Sequence, residues 1–233
     1  MNISNNPPLS PSWPTPHPEA SSEIKPEYAS PAKIEHQRDP NAEFYRYEES
    51  PWLPKTPTGE IQEFYKKLPD KELQDKEKRY FEKLHEKSGE ILRSICDTFY
   101  GLKDQLSYVN PELSKKYFGF TLGFDQQIKV TDPDGVLTPA EVAYLTEQFN
   151  NRTKLQNDVR AHARLVMTMN DHDRKNFPDR RQLNLENFSK IIDYGQLFCR
   201  NTIGNYVQTL SYQLERNAEK VEEEPKRLVD VQA

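Results

Sequence analysis

The sequence predicts a mainly α-helical protein, a bundle of four to five helices with one β-hairpin, preceded by a disordered proline-rich leader. Twelve of the 18 prolines lie within residues 1–57, and a Pro/Ser/Asn-rich stretch with little apolar surface cannot offset the entropy of folding. Beyond that stretch, apolar side chains recur at three- and four-residue intervals, which is typical of amphipathic helices. We therefore divide the chain into a leader at 1–57, a helical domain at 58–222 and a frayed tail at 223–233.

The first helices of the domain are predicted on either side of Pro69. A short helix is expected from Thr58 to Leu68, because proline interrupts helical hydrogen bonding. Asp70 is positioned to cap a long helix over residues 71–106. Its first half is densely charged, so we expect that half to be solvated.

A period-two pattern interrupts the helices near residues 117–131 and predicts one hairpin. The apolar residues of its first strand alternate along the chain: Phe118, Phe120, Leu122 and Phe124. Because a lone hairpin is marginal in water, its aromatic face should pack on the helices.

Helical spacing returns at 139–150, at about 154–170 and at 185–222, where Asn184 can act as the cap. The helices at 71–106 and 185–222 are each too long to bury an apolar stripe alone. We expect them to pair antiparallel and to leave no catalytic cavity between them.

Composition and net charge argue against several classes of protein. A net charge of −5 does not favour nucleic acid as a partner, and no apolar run approaches the length of a membrane-spanning helix. The first 24 residues contain no Lys or Arg, unlike a secretory signal. We expect a cytoplasmic protein when folded, with export by a signal-peptide-independent route left open. Cys96 and Cys199 lie in apolar helical patterns and read as reduced core thiols.

Catalysis is not indicated by any recognised motif, so we expect no catalytic residues and no cofactor. His162 lies on an apolar helix face, where a core histidine is the simplest interpretation. An enzyme of unrecognised type remains an alternative, and a pocket that brings a histidine to a carboxylate or a thiol would support it.

The segment "KVTDPDGVLTPAEVAYL" carries the clearest chemical spacing. With Gly135 at position six of a twelve-residue calcium loop, Asp132 falls at three, Asp134 at five, Thr138 at nine and Glu141 at twelve. Calcium sites supply six to eight oxygens at this spacing. The segment therefore resembles a degenerate EF-hand loop, which implies a calcium-responsive regulator as one alternative.

The loop at 130–141 departs from that family in two places. Val130 occupies the position of the first aspartate ligand, and Pro133 separates the two aspartates. A second interpretation uses the same residues as a turn followed by a capping box, in which Thr138 and Glu141 satisfy each other's backbone amides.

Candidate partner-binding residues lie in the leader and on one helix. The leader aromatics are Trp13, Tyr28, Tyr45 and Tyr47. The stretches "PPLSP" and "PSWP" fit the P-x-x-P pattern of SH3- and WW-type ligands, and "AEFYRYEES" places tyrosines beside acids, as kinase substrates do. Arg160 and Arg164 share a helix face and are candidates for docking an acidic peptide or headgroup.

A Ser/Asn/Pro-rich leader without basic residues, ahead of a helical body, resembles the type III secreted effectors of bacteria. The resemblance covers the leader only and implies a virulence factor that acts on host proteins. Together these features lead us to expect a non-enzymatic protein-interaction module, with the calcium-responsive regulator and the unrecognised enzyme as alternatives.

Overall fold

The computed structural model describes residues 43–198 and 205–221. The described residues form eight helices and one two-stranded antiparallel sheet. In chain order these elements are α1 Glu63–Lys66, α2 Asp70–Val109, α3 Pro111–Lys115, β1 Gly119–Leu122, β2 Ile128–Thr131, α4 Pro139–Asn150, α5 Thr153–His172, α6 Phe188–Ile191, α7 Tyr194–Leu197 and α8 Tyr206–Asn217. The predicted mainly α class with a single hairpin is confirmed, although half of the helices are short turns of four or five residues.

The long helix α2 spans 40 residues and buries one face along its second half. Its principal packing partner is α5, so the expected pairing of 71–106 with a helix at 185–222 is wrong. The backbone of Ile192 is extended (φ −108°, ψ 122°) and so is that of Asp193 (φ −117°, ψ 114°). These two residues end α6, and the predicted single helix is divided.

The hairpin pairs Gly119 with Thr131 and Leu122 with Ile128, close to the predicted position. All four residues of β1 are buried, because β1 lies against α6 and α7 while β2 lies against α4. The ring of Phe120 is 4.9 Å from that of Phe149, centroid to centroid. The hairpin therefore contributes its aromatic face to the core, as expected.

Two glycines allow the hairpin to approach α7 closely. A Cβ atom built on Gly195 would stand 2.5 Å from the Cα atom of Gly119, well inside van der Waals contact. Any side chain at Gly195 would force the two backbones apart.

Asp70 does not cap the N-terminus of α2 as predicted. The helix begins at Asp70, its N-cap position is Pro69, and no side chain caps it. Asn184 does accept hydrogen bonds from the amides of Glu186 and Asn187, but this turn precedes the short helix α6.

The chain packs on the helical domain from Phe44 onwards, so the boundary predicted at residue 57 is too late. Phe44 is 3% exposed, and the guanidinium carbon of Arg164 lies 4.5 Å from its ring centroid. An antiparallel bridge joins Lys55 to Ile61. We call residues 43–61 the strap. The Pro-rich composition gave no sign that Phe44 is buried against the body or that Tyr45 and Trp52 are partly buried.

Candidate functional site

A cleft of about 690 Å³ opens between the first half of α2 and the loop that follows α5. Phe81, which is buried, forms its apolar floor. The remaining lining residues are polar or charged: Gln74, Asp75, Glu77, Lys78, Glu82, His85, Asp173, Arg174, Lys175 and Asn176. One wall of the cleft is the first half of α2, and the other wall is the loop that begins directly after α5 ends at His172.

A histidine and a carboxylate meet inside this cleft. The Nε2 atom of His85 lies 2.6 Å from Oδ2 of Asp173, and the Nδ2 group of Asn176 donates to the same oxygen at 2.8 Å. Burial raises the pKa of Asp173, but the hydrogen bonds with His85 and Asn176 outweigh burial, and the net effect lowers that pKa below its ordinary value. Asp173 is therefore a charged carboxylate that holds the imidazole in place.

The geometry selects one tautomer of His85. Because Nε2 faces a carboxylate, the proton belongs on Nε2. The Nδ1 atom is buried and has no hydrogen-bond partner within the described residues. The pair orients an imidazole, yet no hydrogen bond in the described part of the chain joins the His85 ring to a hydroxyl or a thiol that would serve as a nucleophile. The Tyr206 hydroxyl donates to the backbone carbonyl of His85, at 2.9 Å, and not to its ring.

Glu77 adds a second carboxylate to the cleft. Burial raises its pKa, and the nearby charge of Asp173 raises it further. Among the ion pairs of residues 43–198 and 205–221, none joins Glu77 to a basic side chain. A carboxylate whose charged form is disfavoured by burial and by a like charge gains stability from an added cation.

The lysines and the arginine that line the cleft form no ion pair with Glu77 or Asp173 within residues 43–198 and 205–221. Lys78 pairs with Glu82 along α2 at 4.0 Å. The guanidinium of Arg174 donates to backbone carbonyls in the last turn of α5 and in the loop that follows it, and Lys175 is exposed. Asp173 is thus stabilised by His85 and Asn176, whereas Glu77 has no ion-pair partner within the described residues.

The loop at 130–141 is organised as a turn and a capping box. The carboxylate of Asp132 accepts the amides of Val136 at 3.0 Å and Leu137 at 2.8 Å. Thr138 accepts the Glu141 amide, and Glu141 accepts the Thr138 amide at 2.7 Å. The predicted capping box is confirmed, and three of the four calcium candidates bind backbone amides: Asp132, Thr138 and Glu141.

Lys116 also occupies the Glu141 carboxylate, with Nζ 2.8 Å from both oxygens. The Lys116 ammonium, followed by the Thr138 amide, lowers the pKa of Glu141 to about 2. Asp134 lies exposed in the turn, and no group of three His, Cys, Asp or Glu side chains in the described residues is arranged to hold a metal ion. Calcium binding at Asp132, Asp134, Thr138 and Glu141 stays a prediction, which calorimetric titration with calcium would check.

His162 is a core residue, in agreement with the sequence interpretation. It is fully buried between the Ser88 hydroxyl and the Tyr194 hydroxyl, each 3.1 Å away. Burial lowers its pKa to about 3, so the ring is neutral. Cys96 is a buried free thiol, and Cys199 lies outside the described residues.

The tyrosines predicted as partner anchors instead hold the strap to the body. The Tyr45 hydroxyl donates to Asp171 at 2.8 Å, and the ring of Tyr47 stacks on His172 with centroids 4.9 Å apart. The guanidinium of Arg180 lies over the ring of Tyr47, 5.0 Å from its centroid, and pairs with Asp171 at 2.9 Å. Two further predicted anchors lie outside the described residues: Trp13 and Tyr28.

The two predicted docking arginines also have partners within the chain. Arg160 donates from Nε to the carbonyl of Gln126 in the hairpin turn at 2.9 Å. Arg164 donates from Nε to the carbonyl of Phe44 at 2.9 Å. These contacts attach the hairpin and the strap to α5.

Sequence reasoning missed the pairing of His85 with Asp173. The two residues are 88 positions apart, and local spacing cannot connect them. The neighbours of Asp173 do not join this pair, since the side chain of Asp171 accepts from Tyr45 of the strap and His172 stacks on Tyr47.

Comparison with protein-family models, with curated proteins and with solved structures finds no match to this chain. None of the helices within residues 43–198 and 205–221 combines the length and the apolar character needed to cross a membrane.

Proposed function

We propose that the chain is a non-enzymatic protein-interaction module whose helical body binds a basic segment of a protein partner in the cleft between α2 and residues 173–176. One observation carries this proposal. Glu77 and Asp173 lie close enough to raise the pKa of Glu77, and no cation of the described chain compensates Glu77. A partner's lysine or arginine would supply that cation, while its aliphatic stem would cover Phe81.

The partner segment proposed here is basic, whereas Arg160 and Arg164 predicted an acidic peptide or headgroup. Those two arginines are engaged with Gln126 and Phe44, so their side chains already have acceptors. Glu77 in the cleft is a charged group on the body whose surroundings favour a new ion pair.

We also propose that the leader binds protein partners, as a second binding segment apart from the cleft. Its P-x-x-P stretches fit SH3- or WW-type grooves because polyproline II costs little ordering entropy. A role as a secreted effector acting on host proteins, and export by a signal-peptide-independent route, rest on the leader's composition.

The cleft is tested with fluorescent peptides that carry one arginine, compared with the same peptides carrying neutral citrulline. Glu77→Gln removes the charge inside the cleft, and Glu86→Gln makes the same change on an exposed part of α2 outside it. We expect Glu77→Gln to weaken binding of the arginine peptide about fivefold, which corresponds to about 1 kcal/mol. Glu86→Gln should leave it unchanged. Equal affinity for arginine and citrulline peptides, or equal weakening by the two variants, would contradict the proposal.

One observation favours the second candidate, an enzyme of unrecognised type. A buried carboxylate orients the imidazole of His85 within a cleft of about 690 Å³, which is the arrangement of a general base. Hydrolysis of p-nitrophenyl acetate and p-nitrophenyl phosphate by the full chain and by His85→Asn tests it. Equal rates for the two proteins would remove this candidate for both substrates.

A further inference from the structure

A second, smaller pocket of about 310 Å³ lies where α2 meets the hairpin and α7, apart from the cleft. Its walls are aromatic and include Phe99, Phe118 and Phe198, all of which belong to the core. Gly195 forms part of the wall without a side chain. Small-molecule sites have this character, with an apolar lining and few polar groups.

Lys103 is the charged residue of this pocket. Its Nζ atom lies 4.9 Å from the ring centroid of Phe118 and 5.9 Å from that of Phe99. Its hydrogen bond goes to the backbone carbonyl of Lys116, at 3.4 Å, which is long. Burial lowers the pKa of Lys103.

Two acids on neighbouring segments are paired with other lysines. Glu112 pairs with Lys115 at 2.8 Å, and Glu141 pairs with Lys116 at 2.8 Å. Within the described residues, no carboxylate forms an ion pair with Lys103. The ammonium therefore has donor capacity left over in a largely apolar setting, where an unpaired charge is costly.

We propose that this pocket binds a small aromatic carboxylate, whose ring packs among Phe99, Phe118 and Phe198 and whose carboxylate accepts hydrogen bonds from Lys103 Nζ. An inorganic anion would leave the aromatic walls uncovered, and a neutral aromatic compound would leave the ammonium unpaired. A volume of about 310 Å³ suits a ligand of one ring with a short acid arm. The site is independent of the cleft and of the peptide partner proposed there.

The experiment titrates the full chain with phenylacetate, benzoate and 3-phenylpropionate, followed by amide shifts in ¹H–¹⁵N NMR spectra. The neutral amide of each acid has the same shape and is the matched ligand control. We expect at least one acid to bind with a Kd of about 1 mM or tighter, the range for a ligand of this size. Shifts should include Gly195 and Phe198, and the corresponding amide should bind about tenfold more weakly.

Protein variants give a second comparison. Lys103→Met keeps the stem and removes the charge, and it should weaken the acid to the affinity of its amide. Lys115→Met removes an exposed lysine outside the pocket and should leave binding unchanged, as should Glu77→Gln. The acid–amide comparison needs only the wild-type chain, so it decides the matter even if Lys103→Met does not fold. No shift at about 10 mM ligand, or equal binding of acid and amide, overturns the proposal. Tighter binding of a peptide with a C-terminal phenylalanine would also overturn it, because the pocket would then be a site for protein C-termini.

Discussion

Replacement of Phe44 by alanine tests whether the strap is held by a single buried ring. Phe44 is 3% exposed, and Arg164 covers it from one side while also donating to its carbonyl. Loss of a buried phenylalanine costs about 3–5 kcal/mol in a protein core. Because Phe44 lies at the edge of the core, under an exposed arginine, we expect the lower end, about 3 kcal/mol.

This loss should appear as opening of the strap while the body stays folded. About 3 kcal/mol corresponds to a change of roughly 100-fold in the opening equilibrium. Hydrogen–deuterium exchange followed by mass spectrometry should show that protection of residues 45–57 falls by that factor in Phe44→Ala. Peptides from α5 should keep their protection, because α5 is held chiefly by α2.

Phe64→Ala is the matched control for this experiment. It is the same substitution on a ring that is 68% exposed, and such surface changes usually stay within about 0.5 kcal/mol. If the protection of residues 45–57 changes by less than about threefold in Phe44→Ala, the ring does not anchor the strap and the reasoning is refuted.

Three further predictions concern pH and packing. The pKa of Glu141 in the folded chain is about 2, below the ordinary value of about 4.3. The charged carboxylate therefore stabilises the fold fully above about pH 4.3, and this stabilisation is lost as pH falls towards 2. Urea unfolding should show that the difference in free energy of unfolding between wild type and Glu141→Gln disappears between these two pH values. The pKa of His162 is about 3, and its ring signals should therefore stay in the neutral position from pH 8 down to about 4. The free energy of unfolding should fall as pH drops below about 6.5, because His162 binds a proton in the unfolded chain but stays neutral in the folded core. Gly195→Ala should destabilise the fold by roughly 1–3 kcal/mol, since the new Cβ would stand 2.5 Å from Gly119 Cα. Gly101→Ala lies within α2, where the new Cβ would have no neighbouring atom inside 4 Å, and it should stabilise the fold by about 0.5–1 kcal/mol. A thermal unfolding temperature that is higher for Gly195→Ala than for Gly101→Ala would contradict the packing described.

Local chemistry was sufficient to predict the elements whose causes lie within a few residues. The alternation of Phe118 and Phe120 predicted β1, because a strand turns successive side chains to opposite faces. Thr138 and Glu141 form their capping box from a spacing of three. In each case the interacting groups are close in sequence, so the pattern contains the whole physical reason.

The break between α6 and α7 could not be predicted in this way. Apolar residues continue at helical spacing on both sides of it. The extended backbone at Asp193 is stabilised by Thr131, which donates to its carboxylate at 2.8 Å, and by Gln213, which accepts its amide at 2.8 Å. These partners are 62 and 20 residues away, and tertiary contacts outweigh helix propensity.

What the sequence alone determined, then, is the helical class, the hairpin and the capping box of Thr138 and Glu141. Tertiary structure decided the rest: the strap depends on Tyr45 meeting Asp171 across 126 positions, and the cleft depends on His85 meeting Asp173 across 88. Composition placed Tyr45 in a flexible leader because composition averages over a segment, whereas burial depends on which surface each side chain finds. Periodicity identifies the buried face of a helix, but it does not specify which other helix covers that face, and the candidate site lies where two such elements meet.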